Sequence, residues 1–270
     1  MSLGDWSLDP SLVYVVLAAS LYILGSRGRP PTRGQACAFA ASLLTIVIAL
    51  NSPIDRYADQ LFWVHMLQHV LLLTVAPPLF LLGRPWPRMW RALPLEPRTA
   101  VARTIASAGW TKPLRMLARP LPAWILYNAT IVGWHLPGAY DATLNYGAVH
   151  VIEHAMFFFT GLLFWARVID PGPLRPRLVW PVRIGYVAGA MVVSWALSIT
   201  FVVLQHPIYG HYADLVTRPG GISALTDQQL AAGVMWVLGS ISYTVTFIIG
   251  FYKWLEPDSS TNASSAALTT

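Results

Sequence analysis

Four histidines in two matched pairs carry the chemistry most open to reading in this sequence. His65 and His69 lie in QLFWVHMLQHVLLLTVAPPLFLLG, residues 60–83, and His150 and His154 lie in AVHVIEHAMFFF, residues 148–159. Each pair has i, i+4 spacing, which on a helix turns both rings to one side, a turn apart. Two such pairs facing each other at similar depth would suit copper, zinc or haem iron, because imidazole binds all three. Glu153 stands inside the second pair. Met66 and Met156 lie one and two positions from a histidine, and a thioether would favour Cu(I). Each is rotated off its histidine face, by about 100° and about 200° on an ideal helix, which weighs against ligation. The alternative role for the histidines is hydrogen bonding between helices. For a lone histidine that is the better account. For two pairs at one depth, a metal or cofactor is.

The segments that hold these residues are apolar. Of 270 residues 55% are hydrophobic and only 11% charged, against roughly 25% charged in an ordinary soluble domain. Mean hydropathy is +0.52. The expected fold is therefore all-α, a polytopic membrane bundle occupying residues 1–257. Seven spans are read, approximately Ser11–Gly25, Gln35–Leu50, Leu61–Leu82, Leu121–His135, Val149–Val168, Val182–Leu204 and Leu230–Leu255. The N-terminal MSLGDWSLDP lacks the basic start of a cleavable signal, so the first apolar run is expected to be retained. Ionisable groups inside a bilayer normally face protein or water, which sets the histidine faces inward. Gln68, between His65 and His69, can fix a ring tautomer or bind a neighbouring helix. Pro77-Pro78 should kink or loosen the third span. Ala188, Gly189 and Ala190 suit close helix packing in the sixth.

Charge sets the expected orientation. Arg27, Arg29 and Arg33, then Arg84, Arg88, Arg91, Arg98, Arg103, Lys112, Arg115 and Arg119, then Arg167, Arg175, Arg177 and Arg183, and finally Lys253, all fall on one side of a seven-span chain. Only Arg56 and Arg218 fall on the other. The positive-inside rule makes the crowded side cytoplasmic, with the N-terminus outside and the C-terminus inside. All seven histidines then lie in the outer half, and at about 1.5 Å of rise per residue His69 and His154 sit roughly 6 to 12 Å below the outer boundary. Asp55, Asp59, Asp141, Asp214 and Asp227 share that side. A site built from these residues would open outward.

The basic stretch 84–119 carries Trp86, Trp90 and Trp110 and is expected to be a cytoplasmic loop lying in the membrane interface. Residues 258–270, DSSTNASSAALTT, are expected to be a disordered tail, and the Asn262 sequon carries no weight there. His135, His206 and His211 read as surface or capping residues nearer water. WHLPGAYDATL, residues 134–144, reads as a Pro-Gly turn opening a helix that carries Asp141 near its start, and Asp227 reads as a cap on span seven. Either acid can also touch a bound ion. The net charge of +6 and the pI of about 9.7 follow from topology, so no nucleic-acid partner is expected. The single cysteine, Cys37, excludes an internal disulfide and a CxxC metal clamp. No nucleophile–base pair, phosphate-binding loop or nucleotide site is visible, so no enzyme is expected.

SPIDRYADQLFWVHMLQHVLLLTVAPPLFLLG at 52–83, WHLPGAYDATL at 134–144, HVIEHAMFFFTGLLFW at 150–165 and TDQQLAAGVMW at 226–236 together resemble the CtaG family of cytochrome c oxidase assembly factors. The resemblance runs over most of the chain from Asn51 to Leu255. VLGS at 237–240 departs from the Pro-Gly step expected there. The resemblance implies a multi-pass protein of the bacterial inner membrane that helps mature a haem-copper oxidase, with oxidase subunits as partners. It implies a copper step, with His65, His69, His150 and His154 as ligands. A haem-binding membrane protein and a metal-free scaffold for oxidase subunits are the alternatives.

Overall fold

A computed structural model describes residues 6, 9–109, 111–169 and 178–256; among them there are helices and no strands. The elements in order are α1 (Ser11–Ser26), α2 (Arg33–Asn51), α3 (Pro53–Ala58), α4 (Phe62–Val70) and α5 (Ala76–Leu82), then α6 (Pro85–Ala92), α7 (Leu95–Ser107) and α8 (Thr111–Leu117). There follow α9 (Pro120–Trp134), α10 (Pro137–Asn145), α11 (Gly147–Ile169), α12 (Trp180–Val203), α13 (Gly210–Ala213), α14 (Ala224–Gly233) and α15 (Gly239–Leu255).

Helices occupy all seven stretches read as spans. Five of them are long and apolar enough to cross a membrane: Arg33–Asn51, Phe62–Leu82, Gly147–Ile169, Trp180–Val203 and Ala224–Leu255. The other two are shorter, 16 residues in α1 and 15 in α9. Phe62–Leu82 is the central one. Two thirds of it, 67%, is buried inside the protein, against 22% for α2 and α12. The outer helices turn Val13, Leu17, Leu44, Val192 and Ile248 outward, an apolar exterior that fits a lipid environment better than water.

The central helix is not a regular α-helix. A π turn at Leu71–Val75 joins α4 to α5. Its cause lies in Pro77, which has no N–H for the carbonyl of Leu73 and crowds it sterically. The indole Nε1–H of Trp165 donates to the Leu73 carbonyl instead, at 3.0 Å. Gly161 permits the approach. A Cβ added there would lie 2.9 Å from the Leu73 oxygen and 2.8 Å from Pro77 Cγ. The sequence TVAPP, read as a kink, is thus a π turn that locks α5 to α11. A second π turn, Val234–Leu238, joins α14 to α15 without any proline, at the place where the Pro-Gly step is missing.

At one end of the bundle Asn51 joins the start of α1 to the end of α2, accepting from Asp9 N and donating to Ser11 Oγ. The same end carries α3, α10, α13 and the paired histidines. At the opposite end the basic stretch 84–119 folds into α6, α7 and α8. Arg88 there is buried. Its guanidinium donates to the carbonyls of Gly83 and Arg84 and to Gln35 Oε1, and it lies 5.4 Å from the Tyr22 ring centroid. Alpha-6 packs so closely on α1 that a Cβ on Gly25 would lie 1.8 Å from the Arg88 oxygen. In α12, Gly189 faces Trp124 of α9 in the same manner, with a Cβ contact of 3.2 Å, and Trp124 donates to the Tyr186 carbonyl. Trp110, Arg175, Arg177 and the tail 258–270 lie outside the described residues, as does the side chain of Lys112.

Candidate metal centre

Helices α4 and α11 run parallel through the core and bring the two histidine pairs face to face. The ring centroids of His65 lie 5.1 Å from those of His150 and 6.0 Å from those of His154, and His69 lies 5.8 Å from His154. None is turned away from the bundle core. The tightest donor group is His65, His69, Glu153 and His154, each offering one ligand atom, all within 4.8 Å of one another and all buried. Glu153 is fully buried, its oxygens 3.5 Å from His65 Nε2 and 3.4 Å from His69 Nε2. These separations are too long for good hydrogen bonds.

His150 is the member of the expected set that stands outside this group. It is half-buried, one turn up α11, with its ring 4.2 Å from that of His154. Glu153 is the donor of this group that does not belong to the expected set. Its signal was its position i+3 from His150 and next to His154, on the face the pair already defined.

The environment leaves the donors idle. Among the described residues His65 Nε2, both nitrogens of His69, His154 Nε2 and both oxygens of Glu153 are buried without a hydrogen-bond partner. Buried polar atoms ordinarily find partners, and a buried carboxylate is expensive without a cation or several donors. A first-row ion bound at about 2.0–2.1 Å sets tetrahedral ligand separations of about 3.3–3.4 Å. Each of the two His–Glu distances, one to either carboxylate oxygen, is close to that value, and all four donor atoms lie within 4.8 Å of one another. Three imidazoles and one carboxylate fit a divalent ion of the Cu(II) or Zn(II) kind better than a soft monovalent one.

Outer partners orient the candidate donors. The Tyr212 hydroxyl donates to the Ala58 carbonyl at 2.6 Å, and burial pushes its phenol well above the ordinary value, so it keeps its proton. Its one hydrogen is therefore spent, and toward His65 Nδ1, 3.3 Å away, it can only accept. That puts the hydrogen of His65 on Nδ1 and leaves Nε2, the nitrogen facing Glu153, free to ligate. His69 is stacked on Phe157, with centroids 4.2 Å apart. Gln68 takes the second of its two expected roles, donating to the Ala49 carbonyl and to Asp55 Oδ1.

Two expectations need correction. Asp227 does not cap its own helix, a task that falls to Ser223, which accepts from Thr226 N. Asp227 instead reaches α4 and accepts from the N–H groups of Phe62 and Trp63, at 2.9 and 3.0 Å. It caps the helix that carries His65. His135 is not near water but buried, with its ring 5.8 Å from that of His69 and its Nε2 3.1 Å from Met66 Sδ. Its burial follows from the turn at Leu136-Pro137, which brings α10 back over it, and from Tyr209, whose hydroxyl donates to the His135 carbonyl. His206 is exposed, and His211 Nε2 donates to the Asp59 carbonyl. Asp141 and Met156 are half-buried and outside the four-donor group.

A helical bundle with several membrane-length apolar segments and a buried His/Glu cluster defines the class. The particular family follows from comparison: the chain matches the model of the cytochrome c oxidase caa3 assembly factor family, Caa3_CtaG, over residues 12–256, and belongs to that family. It is also similar to uncharacterized proteins of Mycobacterium bovis and Mycobacterium tuberculosis, each 26% identical over 249 residues, covering 89% of this chain and 37% of the relative. One of Mycobacterium leprae is 24% identical over 237 residues, covering 83% and 35%. The chain thus spans little more than a third of the curated relatives it matches. No solved structure matches it.

Proposed function

We propose that the protein binds copper in the outer half of a bacterial inner-membrane bundle and hands it to a subunit of a haem-copper oxidase during assembly. The observation that carries this reading is the group His65, His69, Glu153 and His154, buried and within 4.8 Å of one another. Copper is the cargo here, not a resident cofactor. His150, half-buried above the group, is the next donor toward the surface and serves as the exit ligand.

The orientation is part of the proposal. A seven-span chain with its N-terminus outside and its C-terminus inside puts sixteen of the eighteen Lys and Arg residues on the cytoplasmic side. The histidine end then faces out. The basic helices α6–α8 lie at the cytoplasmic interface. The role is non-catalytic: it uses ligand geometry and exchange, with no covalent step.

Haem finds less support from the same geometry. The cavity beside His69 has a volume of about 30 Å³, whereas pockets for organic ligands are on the order of 300–1,000 Å³. A metal-free scaffold leaves the idle buried donors unexplained. The test is complementation of a strain lacking the protein with His69→Ala/His154→Ala. Oxidase that matures without its copper supports the proposal. Fully copper-loaded oxidase overturns it and favours the scaffold, and a Soret band in the purified protein overturns it in favour of haem.

A further inference from the structure

The contact between His135 and Met66 is of an unusual kind. His135 Nδ1 lies 2.6 Å from the Ile131 carbonyl, which can only accept, so Nδ1 carries the hydrogen. The ring is buried among Met66, Phe157, Phe201 and Tyr140, where a second proton and its charge would be costly. Nε2 therefore presents a lone pair. It faces Met66 Sδ at 3.1 Å, and a thioether has no hydrogen to give. Two electron-pair donors thus point at each other inside an apolar core. That is an arrangement for a shared cation, not a hydrogen bond.

The surroundings agree. Met66 and His135 line the small cavity together with Met235 and His69. Its volume of about 30 Å³ suits one ion or one water. The Nδ1 of His69 has no partner among the described residues, while its Nε2 is 3.4 Å from Glu153. The His69 ring thus borders both the four-donor group and the cavity.

We propose that Met66 Sδ and His135 Nε2 form a second, soft cation position, adjacent to the three-histidine, one-carboxylate group and sharing the His69 ring with it. Its chemical class is a monovalent d10 ion, Cu(I) or its redox-inert analogue Ag(I), because thioether and imidazole together select such ions. The inference rests on the copper reading only for the identity of the cargo; the position itself rests on the His135–Met66 geometry. It divides the molecule into a harder position for divalent ions and a softer one for monovalent ions, side by side on the same turn of α4.

The experiment titrates the purified full chain in detergent with Ag(I) and, separately, with Zn(II). Met66→Leu is expected to weaken Ag(I) binding by at least about tenfold while Zn(II) affinity stays within about twofold; Glu153→Gln is expected to do the reverse. Cu(I)-loaded Cys37→Ser protein, which lacks the exposed thiol, should show a sulfur scatterer at about 2.3 Å in X-ray absorption, which decides the matter should the leucine variant fail to fold. Unchanged Ag(I) affinity in Met66→Leu, or a Cu(I) shell of nitrogen alone in the Cys37→Ser protein, overturns the proposal. Silver binding that depends on Met66 in a protein that takes no Zn(II) would sink the four-donor reading and leave this one standing.

Discussion

Replacing Asp227 by Asn tests how the fold aims the centre. The carboxylate is fully buried and accepts from Phe62 N at 2.9 Å and Trp63 N at 3.0 Å, the first two free donors of α4. Leu61, at the cap position, offers no side-chain acceptor of its own. Asparagine keeps one acceptor oxygen, now uncharged, which weakens one bond by about 1 kcal/mol. The other backbone N–H then faces an amide NH2, and a buried donor left without an acceptor costs about 1–3 kcal/mol. The loss is therefore about 2–4 kcal/mol, on the order of 5–15 °C in Tm for a chain of this size. His65 is on the first turn of α4, so divalent-metal affinity should fall as well. Thermal unfolding of the detergent-purified protein, with and without Zn(II), reads both effects. Ser223→Ala is the control: it removes the local cap of α14 for about 1 kcal/mol and should leave the metal affinity unchanged. A Tm for Asp227→Asn within about 2 °C of wild type would refute the trans-capping argument.

Glu153→Gln should lower Zn(II) and Cu(II) affinity by at least about 100-fold, since a ligand is lost where outer-shell partners alone are worth about 10–100-fold; isothermal titration reads it. Gly161→Ala should destabilise by about 1–3 kcal/mol through collision with Leu73 O and Pro77 Cγ, without direct loss of a ligand. Trp165→Phe should cost a comparable amount by stranding the Leu73 carbonyl, and thermal melts of the two variants compare them directly.

Particular residues show why some of this was legible in the chain and some was not. The i, i+4 histidine pairs are local helical geometry, so their shared faces could be read directly, and the parallel run of α4 and α11 then brings them together. Glu153 was within reach by the same argument, since i+3 and i+4 share one face. The partner of Asp227 was not, because it lies 165 residues away and a sequence speaks only of local caps. His135 was missed for a similar reason: a histidine before a Pro-Gly turn looks exposed until the returning helix covers it. Pro77 announced an irregularity in the third span, though not its form as a π turn at Leu71–Val75, and nothing equivalent announces the one at Val234–Leu238. Arg88 read as one cation of a basic loop, yet it is tied down by Gly83, Arg84 and Gln35.

The central claim is that α4 and α11 jointly hold an exchangeable copper ion. The most direct measurement is the copper content of the full chain loaded with buffered Cu(II) in the absence of reductant, compared with His69→Ala/His154→Ala at matched helicity by circular dichroism. Stoichiometric copper in the wild type and its loss from the folded double variant is the result expected. Copper that stays with the double variant, or a wild-type protein that takes up none from a buffered excess, would contradict it.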